Sequence, residues 1–257
     1  MKAPQRGWHF PRVIAHRGGG TLAPENTLAA MRLARDRGFK AVEFDAMLSS
    51  DLVPVLMHDP RFGRTVPGAG AVADTTAARL AQMDAGSWLS DQFRGEPVPM
   101  LADIIRWLHQ HDVWMNIEIK PAPGHEAETG RVVGEVTQAV WQELEASSGV
   151  GRLAPVFSSF SDRALQAARE AAPDVGRAML WKQVPADWEA RLMQLDCIAV
   201  HCNHGYLTRE QAAGIKRAGY GLMCYTVNDA ERARELRTWG VDAICTDRLD
   251  LFSPDQF

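Results

Sequence analysis

Two short segments place ionisable side chains where a protein interior ordinarily holds none. In Val42-Glu43-Phe44-Asp45 two acids stand two residues apart in an apolar run, so strand alternation turns both carboxylates to one face. In Asn116-Ile117-Glu118-Ile119-Lys120 the three polar residues again share a face and the isoleucines take the other. If both runs are inner strands of a closed sheet, three carboxylates and one ammonium converge on one end of it. Burying them is costly unless they are paired or metal-bound. A shared ion-pair network and metal ligation both meet that cost, and Lys120 alone could neutralise Glu118. Carboxylate oxygens are hard ligands, which select one Mg2+, Ca2+ or Mn2+ ion over zinc.

Two histidines end apolar runs of the same kind. His16 closes Val13–His16, and His58 follows Val53-Pro54-Val55-Leu56-Met57. A lone histidine at a strand end is ordinarily a packing or capping residue, but two beside a three-carboxylate cluster read as catalytic groups. Arg17 adds a forked donor suited to phosphate. Gly18-Gly19-Gly20 would let backbone amides approach an anion, and would serve equally as a turn. His109, His111 and His125 read as structural. His201 and His204, on either side of Asn203 at the end of a later strand, are candidates for substrate contact.

Something must hold these residues at one end of a sheet, and the rest of the chain supplies it. Strand-like runs fall near Val13–His16, Ala41–Met47, Val113–Ile119, Val156–Ser159, Arg177–Trp181, Cys197–His201, Gly221–Val227 and Asp242–Thr246. Segments of helical period lie between them at Thr27–Arg37, Leu101–His109, Ser161–Ala172, Thr208–Ala218 and Asp229–Trp239. Gly219 and Gly240 suit left-handed helix stops. Repeated strand–helix units, about eight in number, point to an α/β fold of (β/α)8 barrel type. The interval 59–100 is too long for an ordinary connection and reads as an insertion after the second strand unit, walling one barrel end. No composition shift divides the chain, so residues 1–257 read as one domain.

Composition excludes several functions. A net charge of -4 and a pI near 6.1 do not suit a general nucleic-acid binder. Met1–Arg12 lacks the apolar centre of a secretory signal, and no stretch approaches the roughly 20 apolar residues of a membrane span. A soluble, cytoplasmic protein is expected. Cys197, Cys202, Cys224 and Cys245 have no zinc-type spacing and read as buried free thiols.

The ordered set His16-Arg17-Gly18, Pro24-Glu25-Asn26-Thr27, Glu43-Phe44-Asp45 and His58-Asp59 resembles the signature of glycerophosphodiester phosphodiesterases. The likeness continues through Asp84-Ala85-Gly86-Ser87-Trp88, Asn116–Lys120, Ser158-Ser159-Phe160, Tyr225-Thr226-Val227-Asn228 and Cys245-Thr246-Asp247. Among the branches it is similar to the bacterial cytosolic enzyme associated with glycerol-phosphate uptake. The resemblance implies a TIM barrel that hydrolyses glycerophosphodiesters, the deacylated phospholipids, to sn-glycerol 3-phosphate and an alcohol. It also implies that Glu43, Asp45 and Glu118 bind the metal, that His16 and His58 form the acid/base pair, and that Arg17 and Lys120 hold phosphate. One departure is Leu52, where the family commonly has glycine, because leucine disfavours positive φ. Two rival readings stand beside this one: a barrel phosphodiesterase acting on lysophospholipids or phosphoinositides, and an inactive barrel used for binding.

Overall fold

The computed structural model describes residues 6–148 and 151–257; Met1–Gln5, part of the N-terminal stretch considered above, lie outside the described residues. Eight parallel strands close on themselves: β1 (Val13–Ala15), β2 (Ala41–Leu48), β4 (Trp114–Ile119), β5 (Val156–Ser159), β6 (Gly176–Trp181), β7 (Ala199–Asn203), β8 (Gly221–Tyr225) and β9 (Ala243–Thr246). Strand β1 pairs with both β2 and β9, which completes the ring. Strand β3 (Pro54–Leu56) lies outside it, antiparallel to the end of β2. Every barrel strand but the tips of β7 and β8 is buried throughout, as expected where one face meets the lumen and the other meets helices.

Helices α1 (Leu28–Asp36), α3 (Leu101–Gln110), α4 (Glu126–Ser148), α5 (Asp162–Ala171), α6 (Trp188–Gln194), α7 (Arg209–Arg217) and α8 (Ala230–Thr238) cover the outside. Side-chain caps start several of them where the sequence supplies Ser, Thr or Asp: Thr27 for α1, Ser161 for α5, Thr208 for α7 and Asp229 for α8. Helix α4 is the longest and was not legible in the sequence. Its Gly130, Gly134, Thr129, Thr137 and four valines are weak helix formers. Packing overrides propensity: a Cβ at Gly130 would stand 2.1 Å from the Ala164 carbonyl oxygen, so the glycine is what lets α4 lie against α5. Gly219 and Gly240 do adopt positive φ, at 83° and 87°.

The two barrel ends differ. The end where strands begin is stoppered by Trp8 and Phe10, which pack on Trp114, and Trp8 meets the ring of His201 edge-on at 5.9 Å. At the other end, residues 59–100 carry the short helix α2 (Ala77–Leu80) and two 3-10 turns around a small apolar cluster of their own, including Val66, Val72, Leu80, Ala85 and Val98. No helix among the described residues is long and apolar enough to cross a membrane.

Candidate active site

Register alone assembles most of the site. Ala15 of β1 lies opposite Val42 of β2 and Thr246 of β9, so the next residue, His16, falls between Glu43 and Asp247. In the pairing of β2 with β4, Glu43 stands opposite Asn116 and Asp45 opposite Glu118. The alternation inferred from sequence therefore delivers its groups together: ligand oxygens of Glu43, Asp45 and Glu118 lie within 4.8 Å of one another. Lys120, beyond the end of β4, reaches back so that Nζ is 3.1 Å from Asp45 Oδ1 and 3.2 Å from Glu118 Oε1.

Asp45 is fixed from a second direction. Asn26 donates from Nδ2 to Asp45 Oδ2 at 2.8 Å and accepts at Oδ1 from the Asp45 backbone N–H at 3.0 Å. This reciprocal pair requires Asn26 in the left-handed region (φ 59°), which asparagine tolerates better than most residues. Arg17 is also left-handed (φ 48°); its N–H donates to Glu43 Oε2 and its carbonyl accepts from Asn26. Its guanidinium donates from Nη1 to Glu25 Oε1 at 2.8 Å and leaves Nε 3.5 Å from Asp45 Oδ2.

Each histidine carries a carboxylate partner that sequence reasoning did not assign. His16 Nδ1 is 2.5 Å from Asp247 Oδ1, and its Nε2 faces Glu43 Oε2 at 3.8 Å. Asp247 is itself held by Asn228, which donates from Nδ2 to Oδ2 and accepts the Asp247 N–H at Oδ1. His58 Nδ1 is 2.7 Å from Asp59 Oδ1. Motif proximity could have flagged Asp59, but Asp247 lies 231 residues from its partner and only register brings it there.

The surroundings displace the acidities in different directions. Burial raises Glu43, and Asp45 beside it adds to the rise. Burial also raises Asp45, but Lys120 and Arg17 outweigh it and leave the group below its ordinary range. Burial, then repulsion from Asp45, pushes Glu118 up to about 8, against the pull of Lys120. Burial lowers His16, but the Asp247 hydrogen bond and the charge of Glu43 turn the net shift upward. Burial lowers His58, and Lys120 and Arg17 lower it further against the pull of Asp45.

These residues suit a divalent cation. Three buried carboxylates crowded together repel one another, and a doubly charged ion among them relieves that repulsion. Asn116 supplies a further hard oxygen: its Nδ2 donates to Ser158, while Oδ1 is buried with no partner among the described residues. Asn116 lines a cavity of about 30 Å³ with His16, Glu43, Glu118, Leu180, Met223, Tyr225 and Cys245.

One open reading closes and one expectation needs correction. The glycine triplet is a packing device rather than an anion cradle. The Gly18 and Gly20 amides donate to Ala15 and His16 carbonyls, and a Cβ at Gly20 would stand 2.1 Å from the Asp247 carbonyl oxygen. His201 is not at the mouth: β7 runs to Asn203, two residues beyond the inferred end, and His201 lies wholly buried in the barrel with neither ring nitrogen partnered among the described residues.

Comparison with known proteins settles the kinship. The model of the glycerophosphoryl diester phosphodiesterase family matches residues 16–251, from the first site histidine to just past β9. The chain belongs to the glycerophosphoryl diester phosphodiesterase family. It is 31% identical over 249 residues to the Bacillus subtilis (strain 168) protein YhdW, covering 95% of this chain and 97% of the relative. It is 30% identical over 240 residues to the glycerophosphodiester phosphodiesterase of Caldanaerobacter subterraneus subsp. tengcongensis, covering 91% and 93%. Among solved structures, an Oleispira antarctica phosphodiesterase in complex with its product sn-glycerol-3-phosphate superposes with a TM-score of 0.84 at 38% identity, over 93% of each chain. Membership of this family of enzymes and the closed (β/α)8 barrel agree with the reading of the sequence.

Proposed function

We propose that the chain hydrolyses glycerophosphodiesters to sn-glycerol 3-phosphate and an alcohol, using one divalent cation held by Glu43, Asp45 and Glu118. Mg2+ and Ca2+ are the leading candidates, with Mn2+ a third. The observation that carries this reading is the pairing of two carboxylate-held histidines, displaced in opposite directions, beside a three-carboxylate cluster. The product-bound relative from Oleispira supports the choice of substrate class.

A phosphodiester resists attack because its anionic oxygens repel nucleophiles and its alkoxide leaving group is poor. When bound, the cation would supply positive charge to the phosphoryl oxygens. Arg17 and Lys120 add cationic donors on the same face, Lys120 from 3.1 Å beside Asp45. His58, neutral because its pKa is depressed, takes the proton of the attacking hydroxyl. His16, protonated because Asp247 and Glu43 favour the imidazolium, gives a proton to the departing alkoxide. Each has Nδ1 engaged by its aspartate, so Nε2 is the nitrogen left to exchange the proton.

Phe160, half exposed after β5, meets the Tyr225 ring edge-on at 6.1 Å and offers an apolar wall for the glycerol carbons. In this reading residues 1–257 form one catalytic domain, and the insertion 59–100 walls the site. A cytoplasmic location suits the four buried cysteines, all free thiols. The test is release of glycerol 3-phosphate from glycerophosphocholine, glycerophosphoethanolamine and glycerophosphoglycerol, with lysophosphatidylcholine as a control. Chelator-sensitive release from the first three supports the reading; turnover of the lysolipid alone, or of none, sinks it.

A further inference from the structure

Arg64 belongs to the interval 59–100, outside every motif discussed so far, yet it reaches two carboxylates that each hold a residue of the site. Its Nη1 and Nη2 donate to Glu25 Oε2 and Oε1, both at 2.7 Å, in a fork-to-fork pair. Its Nε donates to Asp59 Oδ2 at 2.6 Å. Glu25 Oε1 also accepts from Arg17 Nη1 at 2.8 Å, and Asp59 Oδ1 meets His58 Nδ1 at 2.7 Å. One guanidinium thus stands behind Arg17 through Glu25 and behind His58 through Asp59.

We propose that Arg64 is a positioning residue for the phosphodiester reaction, setting the His58 ring and the Arg17 guanidinium from the second wall of the site; this rests on the roles given to His58 and Arg17 above. The carboxylate torsion of an aspartate is broad, so a single hydrogen bond leaves it free to turn. With Oδ2 taken by Arg64, the remaining oxygen of Asp59 presents one direction to His58 Nδ1. Glu25, whose side chain is only 11% exposed, is likewise spanned by two arginines, which fixes the plane against which Arg17 lies. Stability is the competing account. Arg64 is 44% exposed, which screens its ion pairs, and a bidentate pair in a network is the case where such pairs still add to folding, so melting temperature separates the two accounts. Small displacements of groups around a reacting centre, in contrast, cost turnover steeply. Lysine cannot substitute, because a point charge on a flexible stem cannot span two carboxylates with three directed bonds.

The experiment compares wild type with Arg64→Gln, Arg64→Lys, Glu25→Gln and the Arg64→Gln/Glu25→Gln double variant. Steady-state kinetics are measured on glycerophosphocholine, melting temperature serves as a folding control, and NMR follows the His58 ring. Arg64→Gln is expected to lower kcat about 10- to 100-fold with little change in melting temperature. Arg64→Lys should recover little of that loss. The double variant should lose less than the product of the single losses, since removing Glu25 already disables one arm. The His58 Nδ1–H signal should broaden or exchange faster in both Arg64 variants. Wild-type kcat and an unchanged His58 signal in Arg64→Gln overturn the proposal, as do full rescue by lysine or strictly multiplicative losses. If the glutamine variant does not fold, Arg64→Lys and Glu25→Gln decide by the same criteria. If wild type fails to turn over any glycerophosphodiester, the functional reading falls, while the His58 spectrum still judges the role of Arg64.

Discussion

The barrel holds one histidine just past a strand end and another deep inside a strand, and their fates are opposite. His16, at the end of β1, meets Asp247 at 2.5 Å and Glu43 at 3.8 Å, and its pKa rises. His201, inside β7, meets the edge of Trp8 and no polar partner among the described residues, and burial pushes it down to about 3. The same side chain in the same sheet is held between two carboxylates in one place and left without a polar partner among the described residues in the other. Depth along the strand makes the difference: strand ends carry the acids, while the interior layer carries Ile14, Trp114, Val156 and Met223. The surroundings of a histidine here follow its level in the barrel and not its residue type.

The sharpest way to break that contrast is to strip charge from the active end. Glu43→Ala, or exhaustive chelation of wild type, should lower kcat by about 10³-fold or more, corresponding to several kcal/mol of lost charge stabilisation. Adding back Mg2+, Ca2+ or Mn2+ should restore the chelated enzyme but not the variant. Full activity after chelation, measured as glycerol 3-phosphate release, would refute the metal role. His16→Ala and His58→Ala should each cost about 10²–10⁴-fold in kcat, whereas His201→Leu should leave turnover intact. Equal losses at all three histidines would erase the distinction.

A gentler probe leaves His16 in place and removes its partner. The pH–rate profile of wild type should be a bell whose acid limb reports His58, pKa below 6.5, and whose alkaline limb reports His16, pKa above 6.5. Asp247 raises His16, so Asp247→Asn should move the alkaline limb to lower pH and leave the acid limb in place. An unmoved alkaline limb would mean that another group titrates there.

At the inert end the observable is stability. A base whose pKa falls from 6.5 unfolded to about 3 folded is protonated mainly in the unfolded chain across that window. The native state therefore loses stability as pH drops below 6.5, by at most about 1.4 kcal/mol per pH unit for one group. His201→Leu removes this term, so its melting temperature relative to wild type should climb as pH is lowered from 7 toward 5, roughly 2–4 °C per kcal/mol. A difference that does not change with pH would show that His201 is not the buried neutral base described here.

How much of this was legible in the sequence depends on how far each feature reaches along the chain. Strand period placed Glu43, Asp45, Glu118 and Lys120 on common faces, because alternation is local. Arg64, the Asp247 partner of His16 and the Asn26 lock on Asp45 were invisible, since they join residues that only tertiary structure brings together. The depth of His201 was misjudged by two residues of strand boundary, enough to move a side chain from the mouth to the interior. Helices α1, α3, α5, α7 and α8 were found, while the short α6 was missed, and so was α4, whose small and β-branched residues serve close packing against α5.

Leu52 gives the smallest expected effect, and it tests whether the departure from family glycine disturbs the active end. The residue does occupy the left-handed region, at φ 59°, and its N–H donates to Ser49 at 3.0 Å, so the turn between β2 and β3 keeps a glycine-type geometry despite the side chain. A non-glycine residue there costs roughly 1–2 kcal/mol. Glycine would remove that strain but adds freedom to the unfolded chain, worth about 0.5–1 kcal/mol. The leucine is 42% exposed, so little apolar burial is forfeited by removing it. The balance favours Leu52→Gly by less than about 1 kcal/mol, a rise of a few degrees at most in melting temperature. Turnover should not change, because His58 is held by Asp59 and by the pairing of β3 with β2, neither of which passes through this side chain. A lower melting temperature would mean that the contacts of the leucine outweigh its strain, and a change in kcat would mean that the turn communicates with His58 after all.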